Sequence, residues 1–176
     1  MDIEANRRSR KWSPRELLGR VLWASVSPLF RLSPRPFWGW RNFLLTLFGA
    51  KISRGVRIFP SAKVFIPWNL EVGEMSSIGF EALIYNLGKI KIGSAVTISQ
   101  RAHLCAGTHD HRDPLMTLIK STITVGDNAW ICADAFVGPD LEIGTNAVVA
   151  ARSVVVKSVP PGAIVAGNPA QQKGTR

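Results

Sequence analysis

Between Val125 and Val155 every sixth residue is aliphatic: Val125, Ile131, Val137, Ile143, Val149 and Val155. No insertion breaks the register. The residue after each is Gly126, Cys132, Gly138, Gly144, Ala150 and Val156, small in all but the last case. Four positions past each aliphatic come Ala129, Ala135, Leu141, Ala147 and Ser153, again mostly small. A helix repeats every 3.6 residues and a half-buried strand every 2, and this pattern is neither. A hexad with an aliphatic in one slot and a small residue in the next predicts a parallel β-helix. Each hexad supplies a short flat strand and a turn. Three hexads make one triangular coil, and stacked coils bury the aliphatic column.

The same register runs upstream, through Ile52, Ile58 and Val64, then Val72, Ile78 and Ile84, then Ile92, Ile98 and Leu104. The phase slips by two residues after Val64 and again after Ile84, as a longer corner would produce. The large break falls between Leu104 and Val125, where 21 residues separate neighbouring column positions. An excursion from the coil lies there, and it carries two of the three histidines. Loops extruded from a rigid scaffold commonly carry function. The chain thus divides into an N-terminal extension (1–50), a β-helix domain (51–170) with a candidate active-site loop (105–122), and a basic tail (171–176).

Charge is uneven. Residues 1–58 hold 12 Lys and Arg against 3 Asp and Glu; the remaining 118 hold 10 against 9. The basic character therefore belongs to the extension. No recognition helix or stacking motif accompanies it, which argues against nucleic acid. An anionic membrane surface or a polyanionic sugar intermediate fits better. Cys105 and Cys132 form no recognisable framework and read as reduced small residues of a cytoplasmic protein. The polar N-terminus lacks the apolar core of a signal peptide.

Residues 1–12 are polar and basic and read as unordered. Ser13-Pro14-Arg15-Glu16 is a helix start with a capping box. Leu17, Leu18, Val21, Leu22, Val26 and Leu29 then mark an amphipathic helix ending near Pro28, which either packs on protein or rests on a membrane. Phe37, Trp40, Phe43, Leu44, Leu47 and Phe48 give a second helical face closed by Gly49, suited to cap the open end of the first coil. After Val155 the ladder ends at Pro160-Pro161-Gly162, followed by a short strand over Ala163–Ala166.

The hexads, Thr108-His109-Asp110, Trp130 within Val-Gly-Asp-Asn-Ala-Trp-Ile, and the ending Val-Pro-Pro-Gly-Ala-Ile-Val-Ala-Gly-Asn-Pro-Ala together resemble the hexapeptide-repeat acyltransferases, specifically the maltose/galactoside O-acetyltransferase group. Pro-Arg-Pro-Phe-Trp-Gly-Trp-Arg and Pro67-Trp68-Asn69-Leu70 resemble the acetyltransferases assigned to colanic acid biosynthesis. The likeness spans about Pro34 to Ala170. It implies an all-β, left-handed parallel β-helix, a homotrimer with sites between adjacent prisms, acetyl-CoA as donor, a sugar or glycan-intermediate acceptor, and no metal. It places the base on His109, the acceptor corner near Tyr85 and Asn86, and the donor's pantetheine arm along Ala133 and Ala151. Lys157 matches the basic residue before the final Pro-Pro. Arg152 stands where relatives have Gly, and Val156 where they have Thr.

Acetyl transfer to a hydroxyl needs a base, an oxyanion stabiliser and two substrates held together. A neutral imidazole suits the first role. His109 takes it by motif position, with His111 lining the acceptor pocket and His103 a structural or wall residue. Asp110 and Asp113 either orient an imidazole or solvate the loop; Asp110 also counts as an acceptor contact. Trp130 either walls the acceptor site or packs between subunits. Arg152, Lys157 and Lys173 either meet CoA phosphates or stay solvated. Two other functions compete: a zinc site on His103, His109 and His111, as in a γ-class carbonic anhydrase, and a scaffold without activity.

Overall fold

The computed structural model of the chain describes residues 2–176. The expected β-helix is present, built of three parallel sheets. Sheet A stacks Lys51–Ile52, Leu70–Val72, Ile90–Ile92, Ile123–Val125 and Leu141–Ile143. Sheet B runs from Arg57–Ile58 through Ser77–Ile78, Thr97–Ile98, Trp130–Ile131 and Val148–Val149 to Ala163–Gly167. Sheet C stacks Lys63–Val64, Leu83–Tyr85, His103–Cys105, Phe136–Val137 and Val154–Val155. The column residues pair across rungs in register, as in Ile58, Ile78, Ile98, Ile131, Val149 and Val165. All six are buried. Each such side chain contributes roughly 1.5–3 kcal/mol of burial, which outweighs the weak pairing of two-residue strands.

Each slot of the hexad has a physical cause. From the second rung up, the residue after the sheet A column is glycine because rungs stack backbone on backbone; the first rung has Ser53 there. A Cβ on Gly73 would fall 2.5 Å from the carbonyl carbon of Gly93, and one on Gly126 would fall 2.6 Å from the Thr145 amide nitrogen. The third residue past the column turns the corner with positive φ: Met75, Ala95, Asn128 and Asn146 between sheets A and B; Glu81, Arg101, Asp134 and Arg152 between B and C. Asn and Asp tolerate that conformation best. The fourth, as in Ala82, Ala102, Ala129, Ala135 and Ala147, points inward and is buried. Both two-residue slips and the long insertion fall at one edge, between sheets C and A. That edge holds a 3-10 turn at Pro67–Asn69 in the lowest rung and the hairpin of the candidate loop two rungs higher.

Three helices precede the coil: α1 (Ile3–Arg8), α2 (Pro14–Arg31) and α3 (Trp38–Leu47). The expectation that residues 1–12 are unordered is corrected by α1. Asp2 caps it, and its Asn6 holds the candidate loop. The capping box of α2 forms as expected, Ser13 and Glu16 satisfying each other's backbone amides. The helix does not stop at Pro28 but continues to Arg31. Pro28 cannot donate to the Ala24 carbonyl, and the Ser27 hydroxyl donates there instead at 3.0 Å. Trp23 and Phe30 are buried against the coil, and the Trp23 indole donates to the Val64 carbonyl at 2.9 Å. α2 passes so near Trp68 that a Cβ on Gly19 would lie 2.9 Å from the ring.

α3 covers the open end of the first coil with buried Leu44 and Leu45. Arg41, fully buried on the same helix, donates to the carbonyls of Ile58, Pro34 and Arg35 and to the Ser33 hydroxyl. The basic tail is not a free extension. Ala170–Thr175 folds back antiparallel on Ala163–Gly167, and Arg176 donates to the Asn128 carbonyl at 3.0 Å. Among the described residues no helix is long and apolar enough to cross a membrane.

Candidate active site

The excursion after Leu104 is a β-hairpin. Gly107–His109 pairs antiparallel with Leu118–Lys120, bringing His109 opposite Leu118. His109 is exposed at the end of the ladder. Its Nδ1 lies 2.6 Å from the carbonyl oxygen of Met116. A carbonyl can only accept, so Nδ1 carries the proton and donates. In the neutral ring Nε2 is then left with its lone pair, facing away from the hairpin's own hydrogen bonds. A ring held in one tautomer by a neighbour at its other nitrogen is the arrangement a general base requires.

The two loop carboxylates do not orient this ring. Asp110 accepts from the Arg112 amide at 2.9 Å. Asp113 accepts from the amides of Leu115 and Thr117 and from the Thr117 hydroxyl, and these bonds hold its carboxyl below the usual carboxylate range. Together they shape the turn that brings the Met116 carbonyl under His109. Met116 itself has positive φ. His111 is exposed on the outside of the same turn.

The extension clamps the loop from below. The Asp2 amide donates to the Pro114 carbonyl at 2.7 Å. The Asn6 amide donates to the carbonyls of Leu115 and Met116, the second at 3.3 Å. Glu16, at the start of α2, pairs with Lys120 at 3.0 Å. Trp12 is stacked between Arg20 and Lys120, at 4.2 and 4.0 Å from its ring. The Ser13 amide and Lys120 hold the Glu16 carboxyl down to a pKa of about 2.

The acceptor-side residues separate. Tyr85 stands beside Cys105, at the root of the hairpin, and packs edge-on against Phe65 at 4.8 Å. It is half-buried with one face to solvent. Asn86, read as an acceptor contact, is fully buried instead. Its Oδ1 accepts from the amides of Phe65 and Ile66, and its Nδ2 donates to the Ile66 carbonyl, so its side chain is spent on the corner. His103 lies between Tyr85 and Phe136, with ring centroids at 6.3 and 5.1 Å, and its Nε2 is buried without a partner. Burial pulls its pKa down. His103 is therefore part of the aromatic ladder on sheet C, and among the described residues no three His, Cys, Asp or Glu side chains converge as a metal-ligand set. The zinc reading loses its geometry. Trp130 is exposed on sheet B, its indole donating to the Ser99 hydroxyl at 2.8 Å.

On the donor side, Ala133, Ala151 and Arg152 share the B–C edge. The Arg152 amide donates to the Ala133 carbonyl at 2.9 Å. Arg152 adopts φ +59, the conformation for which glycine is favoured. Among the described residues the amides of Ala133 and Ala151 take no hydrogen-bond partner, so this edge offers free backbone donors along an open strip of small side chains. Asp134, next to Ala133, is fixed by a two-point ion pair to Arg101 of the rung below. Lys157 is exposed at the C–A edge, away from the other three. Neither cysteine is set up as a nucleophile: burial pushes the Cys132 thiol up, and the Cys105 thiol donates to the Gly107 carbonyl.

The single chain thus spreads the candidate residues over the prism. The C–A edge carries Tyr85, the His109 hairpin and Lys157. The B–C edge carries Ala133, Ala151 and Arg152. Trp130 sits on the face opposite the hairpin. The sequence reading missed Met116, Asn6 and the Glu16–Lys120 pair. Only Glu16 left a signal, as the third residue of the capping box.

The fold is that of the hexapeptide-repeat transferases, and the model of the bacterial transferase hexapeptide family (six repeats) matches residues 122–157. The chain belongs to the hexapeptide-repeat acetyltransferases: it is 43% identical over 151 residues to the protein named "Putative colanic acid biosynthesis acetyltransferase WcaF" of Escherichia coli (strain K12), covering 86% of this chain and 83% of that one. Galactoside O-acetyltransferase of the same organism is 30% identical over 104 residues, 57% of this chain and 51% of the relative. Among solved structures, a galactoside acetyltransferase in complex with coenzyme A superposes with a TM-score of 0.87 at 22% identity, covering 94% of this chain and 84% of that one. A maltose O-acetyltransferase from Clostridium difficile 630 gives 0.82 at 22% identity, covering 93% and 89%. At that identity these two likenesses bear on the fold.

Proposed function

We propose that this enzyme transfers the acetyl group of acetyl-CoA to a hydroxyl of a sugar, in the making of an exopolysaccharide or another cell-surface glycan, with His109 as general base. The observation that carries this reading is the bond from His109 Nδ1 to the Met116 carbonyl, which leaves Nε2 as the proton acceptor. His109 takes the hydroxyl proton as the sugar oxygen attacks the thioester carbonyl. It returns that proton to the sulfur as the carbon–sulfur bond breaks. No covalent enzyme intermediate is required, in keeping with the protonated, half-buried state of Cys132. Tyr85, at the root of the hairpin, and Asp110 and His111, which follow His109 in its turn, form the acceptor side.

The donor fits the B–C edge. The free amides of Ala133 and Ala151 suit the amide-bearing pantetheine arm, and Arg152 suits a phosphate. In one chain this edge and the His109 hairpin lie at different corners. The separation of the two corners in one chain supports a homotrimer with shared sites, in which the C–A edge of one protomer meets the B–C edge of the next. Trp130 and Lys157 then face the joint from its two sides. The relative named for colanic acid biosynthesis supports a glycan acceptor. The test is free-thiol release from acetyl-CoA against a panel of free, nucleotide-linked and lipid-linked sugars. Sugar-dependent release with acetyl ester in the product supports the reading. Release with amines alone, or none with any hydroxyl acceptor, overturns it.

A further inference from the structure

We propose that the outer faces of α2 and α3 form one docking surface for an anionic lipid bilayer. α2 is apolar on two opposite sides. Trp23 and Phe30 face the coil and are buried. On the far side Leu18, Leu22 and Leu29 are each at least 50% exposed. A surface helix of a soluble protein needs only one apolar stripe, so the second is unpartnered. α3 extends it with Trp40, Phe43 and Leu47, also exposed. The two helices present these residues together: the Trp40 indole donates to the Leu29 carbonyl at 3.2 Å, and Trp40 stacks on Phe43 at 6.0 Å. Contiguous apolar surface of this kind marks a place of attachment.

Charge decides the occupant. By helical spacing Arg15 continues the stripe of Leu22 and Leu29, and Arg31 continues that of Leu17 and Ala24, so arginines flank the apolar face. Among the described residues neither forms an ion pair. The acidic side chains of residues 1–58 are spent elsewhere: Asp2 caps α1, Glu4 pairs with Arg8, and Glu16 pairs with Lys120. The rim is therefore positive and uncompensated. The same surface of a second copy would set arginine against arginine. An anionic bilayer accepts the apolar side chains at the level of its headgroups and neutralises the rim. Through Glu16 and Lys120 the docked helix is tied to the hairpin that carries His109, so a lipid surface would lie beside the loop. The proposal does not depend on the acetyl-transfer reading.

The full-length protein is sedimented with vesicles of phosphatidylethanolamine and phosphatidylglycerol, and with vesicles of phosphatidylcholine alone, at low and high salt. The parent protein should prefer the anionic vesicles by roughly tenfold or more at low salt, and the preference should shrink as salt screens it. Arg15→Gln with Arg31→Gln should lose most of that preference. Leu22→Gln with Leu29→Gln should bind neither vesicle, while its thermal melting stays that of the parent because both side chains are exposed. Absence of binding by the parent, or unchanged binding by the leucine variant, overturns the proposal. So does a change of oligomeric state in the leucine variant, which would mean that a second copy covers the face.

Discussion

The carbonyl oxygen of Met116 lies 2.6 Å from Nδ1 of His109, across the open end of a hairpin. This contact assigns the imidazole's proton without reference to any substrate. It also makes the ring's tautomer depend on loop geometry, since a backbone carbonyl keeps its place only while the turn from Asp110 to Thr117 holds.

Replacing His109 by Ala should therefore lower turnover by ~10²–10⁴-fold, the usual contribution of a general base. Affinity for acetyl-CoA, measured by calorimetry, should stay near that of the parent, because the donor edge is elsewhere. His111→Ala should raise the acceptor KM more than it lowers kcat. Near-parent turnover in His109→Ala, or its abolition by His111→Ala alone, would place the base on the wrong residue.

The Glu16–Lys120 pair should stabilise the clamp in a pH-dependent way. The folded carboxyl titrates at about 2, below the ordinary glutamate value of 4.5. Its contribution is thus complete above the ordinary value and is lost as pH falls toward about 2. For a partly exposed pair it should stay below ~1 kcal/mol. Denaturant melts of Glu16→Gln should differ from the parent at neutral pH and converge with it as the solution is acidified. A constant difference across that range would contradict the assignment.

His103 should make the coil acid-sensitive. Burial between two rings disfavours its charged form, so the folded state binds a proton less readily than the unfolded chain. Stability should fall as pH drops below the ordinary histidine value of 6.5. His103→Phe keeps the ring and removes the charge, and its stability should vary less over that range. Equal pH dependence in both proteins would show that His103 is not the sensitive group.

Asn86→Ala should destabilise the fold by about 2–4 kcal/mol, since it strands the buried amide and the buried carbonyl of Ile66 at the corner, while the Phe65 amide keeps its bond to the Ile84 carbonyl. Its effect on the acceptor KM in the folded protein should be small. A large KM change at parent stability would restore the acceptor role.

The coil was legible because its cause is periodic. The column and the small residues behind it each repeat at a fixed interval. The long insertion was legible as a break in that period. What the sequence concealed depends on single contacts made across the chain. Met116 holds the His109 ring through a backbone carbonyl, which leaves no side-chain signature. α1 is too short and polar to read as ordered, and it folds because Asp2 and Asn6 find the loop. Pro28 looked like a terminus because the Ser27–Ala24 bond that replaces its missing donor is a local accident. Asn86 was placed at the acceptor corner by resemblance alone, and its side chain turns in to close that corner.

The claim that one protomer supplies the base and its neighbour the donor edge is tested most directly by mixing two inactive variants. His109→Ala removes the base and leaves the B–C edge intact. Ala151→Trp blocks the donor strip and leaves the hairpin intact. If sites are shared around a threefold axis, random co-assembly makes about a quarter of the joints complete, and the mixture should recover about a quarter of the parent activity. If each chain carries a whole site, the mixture stays as inactive as its two components, and the account is wrong.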